Sequence, residues 1–165
     1  MIFALRRATP ADQDVLWHML YYAARMDEDG VVDLTAARDD AFLRPHADTW
    51  GQPGDLGIVA WNGVDAIGAA WVRSGTTIGH ESAGFPVDAE LALAVVPAAQ
   101  GQGIGTTLLA ALLACTDAAG RTVSLWVRTT NPAYRLYQRS GFVEQTRMPN
   151  RVGTESILMQ RRYLS

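Results

Sequence analysis

Hydrophobic positions in the first half of the chain alternate between strand-like and helical spacing. The segment "FALRRA" has the period of a short strand. The following "TPAD" predicts a helix over residues 10–24, because Thr9 suits the N-cap, Pro10 the first helical position and Asp12 a capping box. "TAARDDAFL" predicts a second short helix, and "GIVAWNGVDAIGAAWVR" predicts two strands joined by a hairpin turn at Asn62-Gly63.

The second half continues the alternation. "DAELALAVV" predicts a strand that ends at Pro97, and the apolar run 104–119 predicts a helix that Gly120 closes. "TVSLWVR" predicts another strand, and Asn131-Pro132 opens a helix that ends at Gly141. "FVEQTR" and "ESILMQRRYL" predict two final strands. With no repeat, low-complexity tract or linker, we expect residues 1–165 to form a single α/β domain.

Composition restricts the class of protein. Hydrophobic residues make up 48% and charged residues 19%, which is typical of a globular chain. The net charge of −3, without a segment dense in Lys or Arg, argues against nucleic acid as a partner. We expect no membrane span, no signal peptide and no metal site, since the three histidines stand far apart. A single cysteine, Cys115, suits the reducing cytoplasm, which is the expected location.

Three glycines precede the helical run at residues 101, 103 and 105, in "VVPAAQGQGIGTTLLAALL". A strand, a glycine-rich turn and a helix N-terminus can together bind phosphate, because the first N–H groups of a helix lack partners within it. A tight turn alone is the alternative, and one or two glycines would suffice for it. The dinucleotide fingerprint fails, since Thr106 or Leu108 stands at its third glycine, and no P-loop Gly-Lys follows. A nucleotide-dependent oxidoreductase is therefore disfavoured.

Two motifs resemble the GCN5-related N-acetyltransferase (GNAT) family. "V-x-P-x-x-Q-G-Q-G-I-G-x-x-L-L" is similar to the acetyl-CoA motif of that family, and "NPAYRLYQRSGF" at 131–142 is similar to its second motif. The resemblance implies a mixed, partly parallel twisted sheet with helices on both faces, splayed where coenzyme A enters. It also implies acetyl-CoA as co-substrate. The implied cofactor-binding residues are Val95, Val96, Gln100, Gly101, Gln102, Gly103, Ile104, Gly105, Thr106, Asn131 and Tyr134.

The resemblance also assigns catalytic residues. Tyr137 would protonate the departing thiolate, although an aromatic side chain at this helical position can equally pack in the core. Glu90 would act as general base on its strand, with a structural pairing to an arginine as the alternative. His80 and Glu81 are further candidates for the base, or else a solvated pair in a loop.

The acceptor is expected to be an amine on a small molecule or a peptide. A non-catalytic, coenzyme A-binding regulatory module of the same fold remains the alternative function. Asp27, Glu28 and Asp29 are expected to form a solvated turn, with attraction of a cationic amine as the alternative. Trp17, Tyr21 and Tyr22 are expected to belong to the core, with a place in the wall of the acceptor pocket as the alternative for some of them. The oligomeric state, a homodimer included, does not follow from the sequence.

Overall fold

Seven strands form one mixed sheet in residues 1–74 and 88–164, the part of the chain that the computed structural model describes. The strands are β1 (Ala4–Arg7), β2 (Leu56–Asn62), β3 (Asp65–Arg73), β4 (Ala89–Val95), β5 (Val123–Arg128), β6 (Val143–Pro149) and β7 (Glu155–Arg161). The α-helices are α1 (Gln13–Ala23), α2 (Ile104–Ala118) and α3 (Ala133–Arg139). Short 3₁₀ segments lie at Pro10–Asp12, Ala36–Asp39, Arg44–His46 and Pro97–Ala99.

The strand order is β1-β2-β3-β4-β5-β7-β6, and β4–β5 is the parallel pair in this sheet. That pair is short. It joins Ala89 to Val123 and Glu90 to Ser124, whereas β4 continues to Val95 and β5 to Arg128. The two strands therefore diverge beyond Glu90 and leave a gap in the middle of the sheet, as the resemblance implied.

Hydrophobic cores cover the sheet on both faces. On one face Leu108 and Leu112 of α2 are fully buried, in the same cluster as Leu91 and Leu125 of the sheet. On the other face α1 packs through a second cluster that includes Ala92 and Ala94 of β4. Because successive side chains of a strand point to opposite faces, β4 contributes to both cores. The predicted mixed α/β sheet with helices on both faces is confirmed.

Two local predictions need correction. The hairpin between β2 and β3 is present, but its loop is Gly63-Val64, with Gly63 at φ +61° and Asn62 paired to Asp65. The segment 35–43 does not form the predicted α-helix. Its 3₁₀ turn stops at Asp39, because the Asp40 carboxylate accepts hydrogen bonds from the Phe42 and Leu43 N–H groups at 2.8 and 3.1 Å. Such local bonds compete with helix formation.

Candidate active site

The gap between β4 and β5 opens into a cavity of about 950 Å³. Leu20 of α1 and His46 line it from one face of the sheet, and Ile104 of α2 and Tyr137 of α3 line it from the other. The cavity therefore passes through the sheet. Ligands that enter from opposite faces can meet inside it.

The glycine turn forms one end of this cavity. Gly101 and Gly103 have φ values of +77° and +79°, a left-handed conformation that glycine adopts without strain. A Cβ atom on either would meet nothing within 4 Å. Gly105 has an ordinary backbone, and a Cβ there would make an ordinary 3.7 Å contact with Val95. The turn therefore accounts for two glycines, and neither backbone nor packing requires the third.

Helix α2 begins directly after this turn with free donors. The first helical N–H bond to a carbonyl is that of Thr107, which donates to Gly103 at 3.1 Å. Among the described residues, no side chain caps the helix and no carbonyl accepts from the N–H groups of Ile104, Gly105 and Thr106. These donors and the positive end of the helix dipole favour an anion at this position.

The end of β4 presents its backbone to the gap. The Val96 N–H donates to Ile67 of the neighbouring β3 side at 2.9 Å. Since consecutive residues of a strand direct their N–H groups to opposite sides, the Val95 N–H is directed toward the gap. The Gln100 side-chain amide donates to the Val95 carbonyl at 3.0 Å, which fixes this strand end against the turn.

Tyr137 lies in the cavity wall on the α2 side of the sheet. Its side chain is buried, with the ring edge-on to Phe142 at 5.7 Å between centroids. Burial raises the pKa of Tyr137 above its ordinary value, and the nearby positive charge of Arg25 opposes this rise. Asn131, which lies just before α3, also lines the cavity, and its Oδ1 accepts from the Ala133 N–H at 2.9 Å. The sequence predicted Asn131 as the N-cap, but Pro132 takes that position and Asn131 lies one residue before it.

Glu90 lies on the opposite side, where it pairs with a histidine that sequence reasoning missed. His46 Nε2 is 3.2 Å from Glu90 Oε1, and the two side chains are 16% and 6% exposed. The other ring nitrogen, Nδ1, is 3.2 Å from the Leu43 carbonyl. Because a carbonyl only accepts, Nδ1 carries a hydrogen, and the Nε2–Oε1 contact then requires one more proton between the two groups.

The protonation of His46 reflects this contact. Burial lowers the pKa of His46, but the charge of Glu90 and the hydrogen bond to it outweigh burial, so the pKa is raised overall. Arg73 acts in the opposite direction through its charge. The pair can therefore take up and release one proton at the cavity wall. Glu90 meets a histidine here, where the structural alternative expected an arginine.

A carboxylate from the predicted solvated turn is in fact embedded in an arginine network. Asp29 accepts two hydrogen bonds from Arg128, both at 2.7 Å, and one from Arg151 at 3.1 Å. Both arginines also donate to the Ala24 carbonyl, at 3.1 and 2.7 Å. The expectation that Asp29 is simply solvated is wrong, because these partners come from β5 and from the β6–β7 connection.

The remaining expected residues divide into two groups. The cavity brings together Val95, Gln100, Gly101, Gly103, Ile104, Gly105, Thr106, Asn131, Tyr137 and Glu90. Val96, Gln102 and Tyr134 are not among its lining residues, and the Tyr134 hydroxyl instead donates to Glu144 at 3.2 Å. His80 and Glu81 lie outside the described residues. Trp17 and Tyr21 are buried, as expected of core residues, whereas Tyr22 is half-buried and lines the cavity.

Residues 1–74 and 88–164 contain neither a candidate metal-binding cluster nor a candidate membrane-spanning helix. This part of the chain contains no cluster of His, Cys, Asp or Glu that could hold a metal ion. Nor does any of its helices combine the length and hydropathy needed to cross a membrane.

Comparison with known proteins identifies the family. The sequence model of the acetyltransferase (GNAT) domain matches residues 53–144, which is more than half of the chain. The chain belongs to the GNAT acetyltransferase family. The matched region of this GNAT protein runs from the connection before β2 to the start of β6, so it contains the glycine turn, Glu90 and Tyr137.

Solved structures extend the similarity over the whole GNAT fold. PaiA N-acetyltransferase from Thermoplasma acidophilum, in complex with coenzyme A, is 16% identical with a TM-score of 0.66, covering 99% of this chain and 100% of its own. The yncA structure from Salmonella typhimurium, with acetyl-CoA, is 21% identical with a TM-score of 0.66, covering 99% and 95%. An acetyltransferase of the GNAT family from Streptococcus pneumoniae is 19% identical with a TM-score of 0.68, covering 99% and 100%. A search of curated protein sequences finds no significant match.

Proposed function

We propose that this GNAT protein transfers the acetyl group of acetyl-CoA directly to a primary amine. The observation that carries the proposal is the cavity through the sheet, with free helix donors and Tyr137 on one side and the Glu90–His46 pair on the other. Direct transfer needs this arrangement, because the thioester and the amine must meet in one space with a proton donor and a proton acceptor nearby.

Coenzyme A would bind on the α2 side. Its diphosphate would accept hydrogen bonds from the N–H groups of residues 104–106, above the open space left by Gly101 and Gly103. Its pantetheine arm would run along the exposed edge of β4, next to the Val95 N–H and within reach of Asn131. The PaiA and yncA structures, which hold coenzyme A and acetyl-CoA, support this assignment by their similar fold. Val96, Gln102 and Tyr134 are left out of the proposed set because they do not line the cavity.

Tyr137 would supply the proton that the leaving group needs. The amine nitrogen forms a bond to the thioester carbon, the C–S bond breaks, and the sulfur leaves as a thiolate unless it is protonated. Since burial raises the pKa of Tyr137, its hydroxyl holds its proton at neutral pH. The same burial makes the phenol a weaker acid, and therefore a poorer proton donor to a thiolate whose conjugate thiol has a pKa of about 8.5. The positive charge of Arg25 acts in the opposite direction, because it lowers the pKa of Tyr137. The Val95 N–H would stabilise the oxyanion of the tetrahedral adduct.

The Glu90–His46 pair would accept the proton of the amine. An alkylammonium ion, with a pKa near ~10.4, has no lone pair and must lose a proton before it can attack. In its deprotonated state the pair consists of a carboxylate and a neutral imidazole, so it both attracts the ammonium ion and can take its proton. After uptake the proton lies between Nε2 and Oε1, where the hydrogen-bond geometry accommodates it.

The test is thiol release from acetyl-CoA in the presence of a panel of primary amines. The proposal expects release to depend on the amine and to equal the amount of acetylated amine found by mass spectrometry. Binding of acetyl-CoA without amine-dependent release, across the panel, would instead favour the regulatory module.

A further inference from the structure

The cavity wall contains more positively charged than negatively charged side chains. Four arginines are among the described lining residues, Arg25, Arg128, Arg139 and Arg151, while Glu90 is the one carboxylate among them. In the described part of the chain the acidic partners of Arg25, Arg128 and Arg151 are Glu28, Asp29 and Asp40, and none of these carboxylates lines the cavity. The wall therefore presents guanidinium groups to a bound molecule, with the neutralising carboxylates behind them.

Three of the four arginines lie on the face opposite the glycine turn. Arg25 follows the C-cap of α1, Ala24, and Arg128 and Arg151 both donate to the Ala24 carbonyl. Helix α1 packs on the same face of β4 as Ala92 and Ala94, where His46 meets Glu90. The coenzyme A cradle belongs to α2 on the other face. These arginines therefore surround the part of the cavity that remains for the acceptor.

Two of these guanidinium groups keep unused donors. Nε and Nη2 of Arg25 donate to the Glu28 carboxylate, and Nη2 of Arg151 donates to Asp29 and to the Ala24 carbonyl. The Nη1 group of each arginine has no hydrogen-bond acceptor among the described residues. Their side chains are 21% and 23% exposed. Arg25 adopts φ +60° because it ends α1 in a Schellman turn, in which the Arg25 N–H donates to the Tyr22 carbonyl at 3.0 Å and the Met26 N–H to the Tyr21 carbonyl at 3.1 Å.

We propose that the acceptor is a small primary amine that carries its own carboxylate, as an amino acid does. Its ammonium group lies toward Glu90 and His46, and its carboxylate accepts hydrogen bonds from Arg25 and Arg151. Leu20 and Leu43 line the cavity on the same face and take up an apolar remainder. A polyamine is disfavoured because its further ammonium groups would lie next to arginines of like charge. Glu90, the one carboxylate among the described lining residues, already faces the first ammonium group. This inference rests on the proposed acetyl transfer, since it names the acceptor of that reaction.

The experiment compares each of three acids, L-leucine, L-methionine and L-phenylalanine, with its own amide, and adds spermidine. The amide retains the ammonium group and the side chain but lacks the negative charge. We expect kcat/KM to be at least ten-fold higher for the acid than for the amide. In Arg151→Gln this ratio should fall toward one, whereas in Arg135→Gln, an exposed α3 residue outside the cavity wall, it should be unchanged. A mere loss of the structural contact to Asp29 would lower the rates of acid and amide together and leave their ratio intact.

Calorimetric titration of the coenzyme A-loaded protein separates this inference from the proposed reaction. The ligands are 3-phenylpropanoate and 3-phenylpropanamide, which cannot be acetylated on an amine. Preferential binding of the acid, lost in Arg151→Gln, supports the acceptor class even if no amine is acetylated. Equal binding of the two, binding of neither, or acetylation of spermidine or the amides as efficient as that of the acids would overturn it.

Discussion

The substitution Gly103→Ala tests the coenzyme A cradle through a matched pair of glycines at the two ends of α2. Gly103 precedes the helix at φ +79°, and Gly120 follows it at φ +66°. Neither has an atom within 4 Å of the position that a Cβ would take. Alanine therefore imposes similar backbone strain at both, while Gly103 alone of the two lines the cavity.

The expected magnitudes follow from this match. A left-handed backbone costs a residue with a Cβ about 1–2 kcal/mol, so both variants should lose stability by a similar amount. At Gly103 the methyl group also occupies space next to the free N–H groups of Ile104 and Gly105. We expect the Kd for coenzyme A to rise at least ten-fold in Gly103→Ala, which corresponds to about 1.4 kcal/mol. In Gly120→Ala it should remain within about two-fold, a change of only a few tenths of a kcal/mol.

Calorimetric titration with coenzyme A gives the affinities, and denaturant unfolding gives the stabilities. Comparable losses of stability with a loss of affinity confined to Gly103→Ala would support the cradle. Unchanged affinity in a folded Gly103→Ala protein, or an equal loss in both variants, would refute the assignment of residues 101–106 to phosphate binding.

Three further predictions concern the proton-transfer groups and the arginine network. Tyr137→Phe should lower kcat by about 10²–10⁴ with little change in the KM for acetyl-CoA, because only a hydroxyl is lost, and steady-state kinetics with kcat within two-fold of wild type would reduce Tyr137 to a packing role. The pH profile of kcat/KM should rise through a limb above the ordinary histidine range, since the pKa of His46 is raised and the pair accepts a proton only when deprotonated. In Glu90→Gln the carboxylate that raises the pKa of His46 is gone, while burial still lowers that pKa. The limb should therefore move to lower pH if His46 holds the proton, and disappear if Glu90 holds it. An unchanged limb would place the base elsewhere. Asp29→Asn should lower the free energy of unfolding at pH 7. Because hydrogen bonding to Arg128 holds the pKa of Asp29 below its ordinary value, the difference in stability from wild type should shrink as the pH falls through the acidic range. Thermal unfolding at several pH values measures this difference, and a difference that does not change with pH would contradict the pairing.

The elements that the sequence predicted are those that local signals determine. The glycine turn and α2 were readable because donor-rich helix ends, glycine spacing and apolar periodicity all lie within one continuous segment. The alternation of β4, with Leu91 on one face and Ala92 on the other, was readable for the same reason. The parallel pairing of β4 with β5, and the gap beyond Glu90, came from the resemblance to a family and not from spacing.

The residues that sequence reasoning missed are placed by long-range contacts. His46 reaches Glu90 because the Trp71 indole donates to its carbonyl at 2.7 Å and Arg73 donates to the Pro45 carbonyl at 3.1 Å. Both donors are on β3, and no residue spacing near His46 predicts these contacts. Asp29 likewise lies 99 residues before Arg128, its main partner. Such pairs follow from strand register and from loop paths, which a single sequence does not specify.

The most direct test of the account follows labelled acetyl from acetyl-CoA. The protein is mixed with acetyl-CoA carrying a ¹³C-acetyl group and with amino acid acceptors, and the acceptor, the coenzyme and the intact protein are weighed by mass spectrometry. We expect the label to move to the amine nitrogen in step with the release of free thiol, with no acetylated protein at any time. Label that stays on coenzyme A, although acetyl-CoA binds, or label that accumulates on the protein before reaching the amine, would contradict direct acetyl transfer.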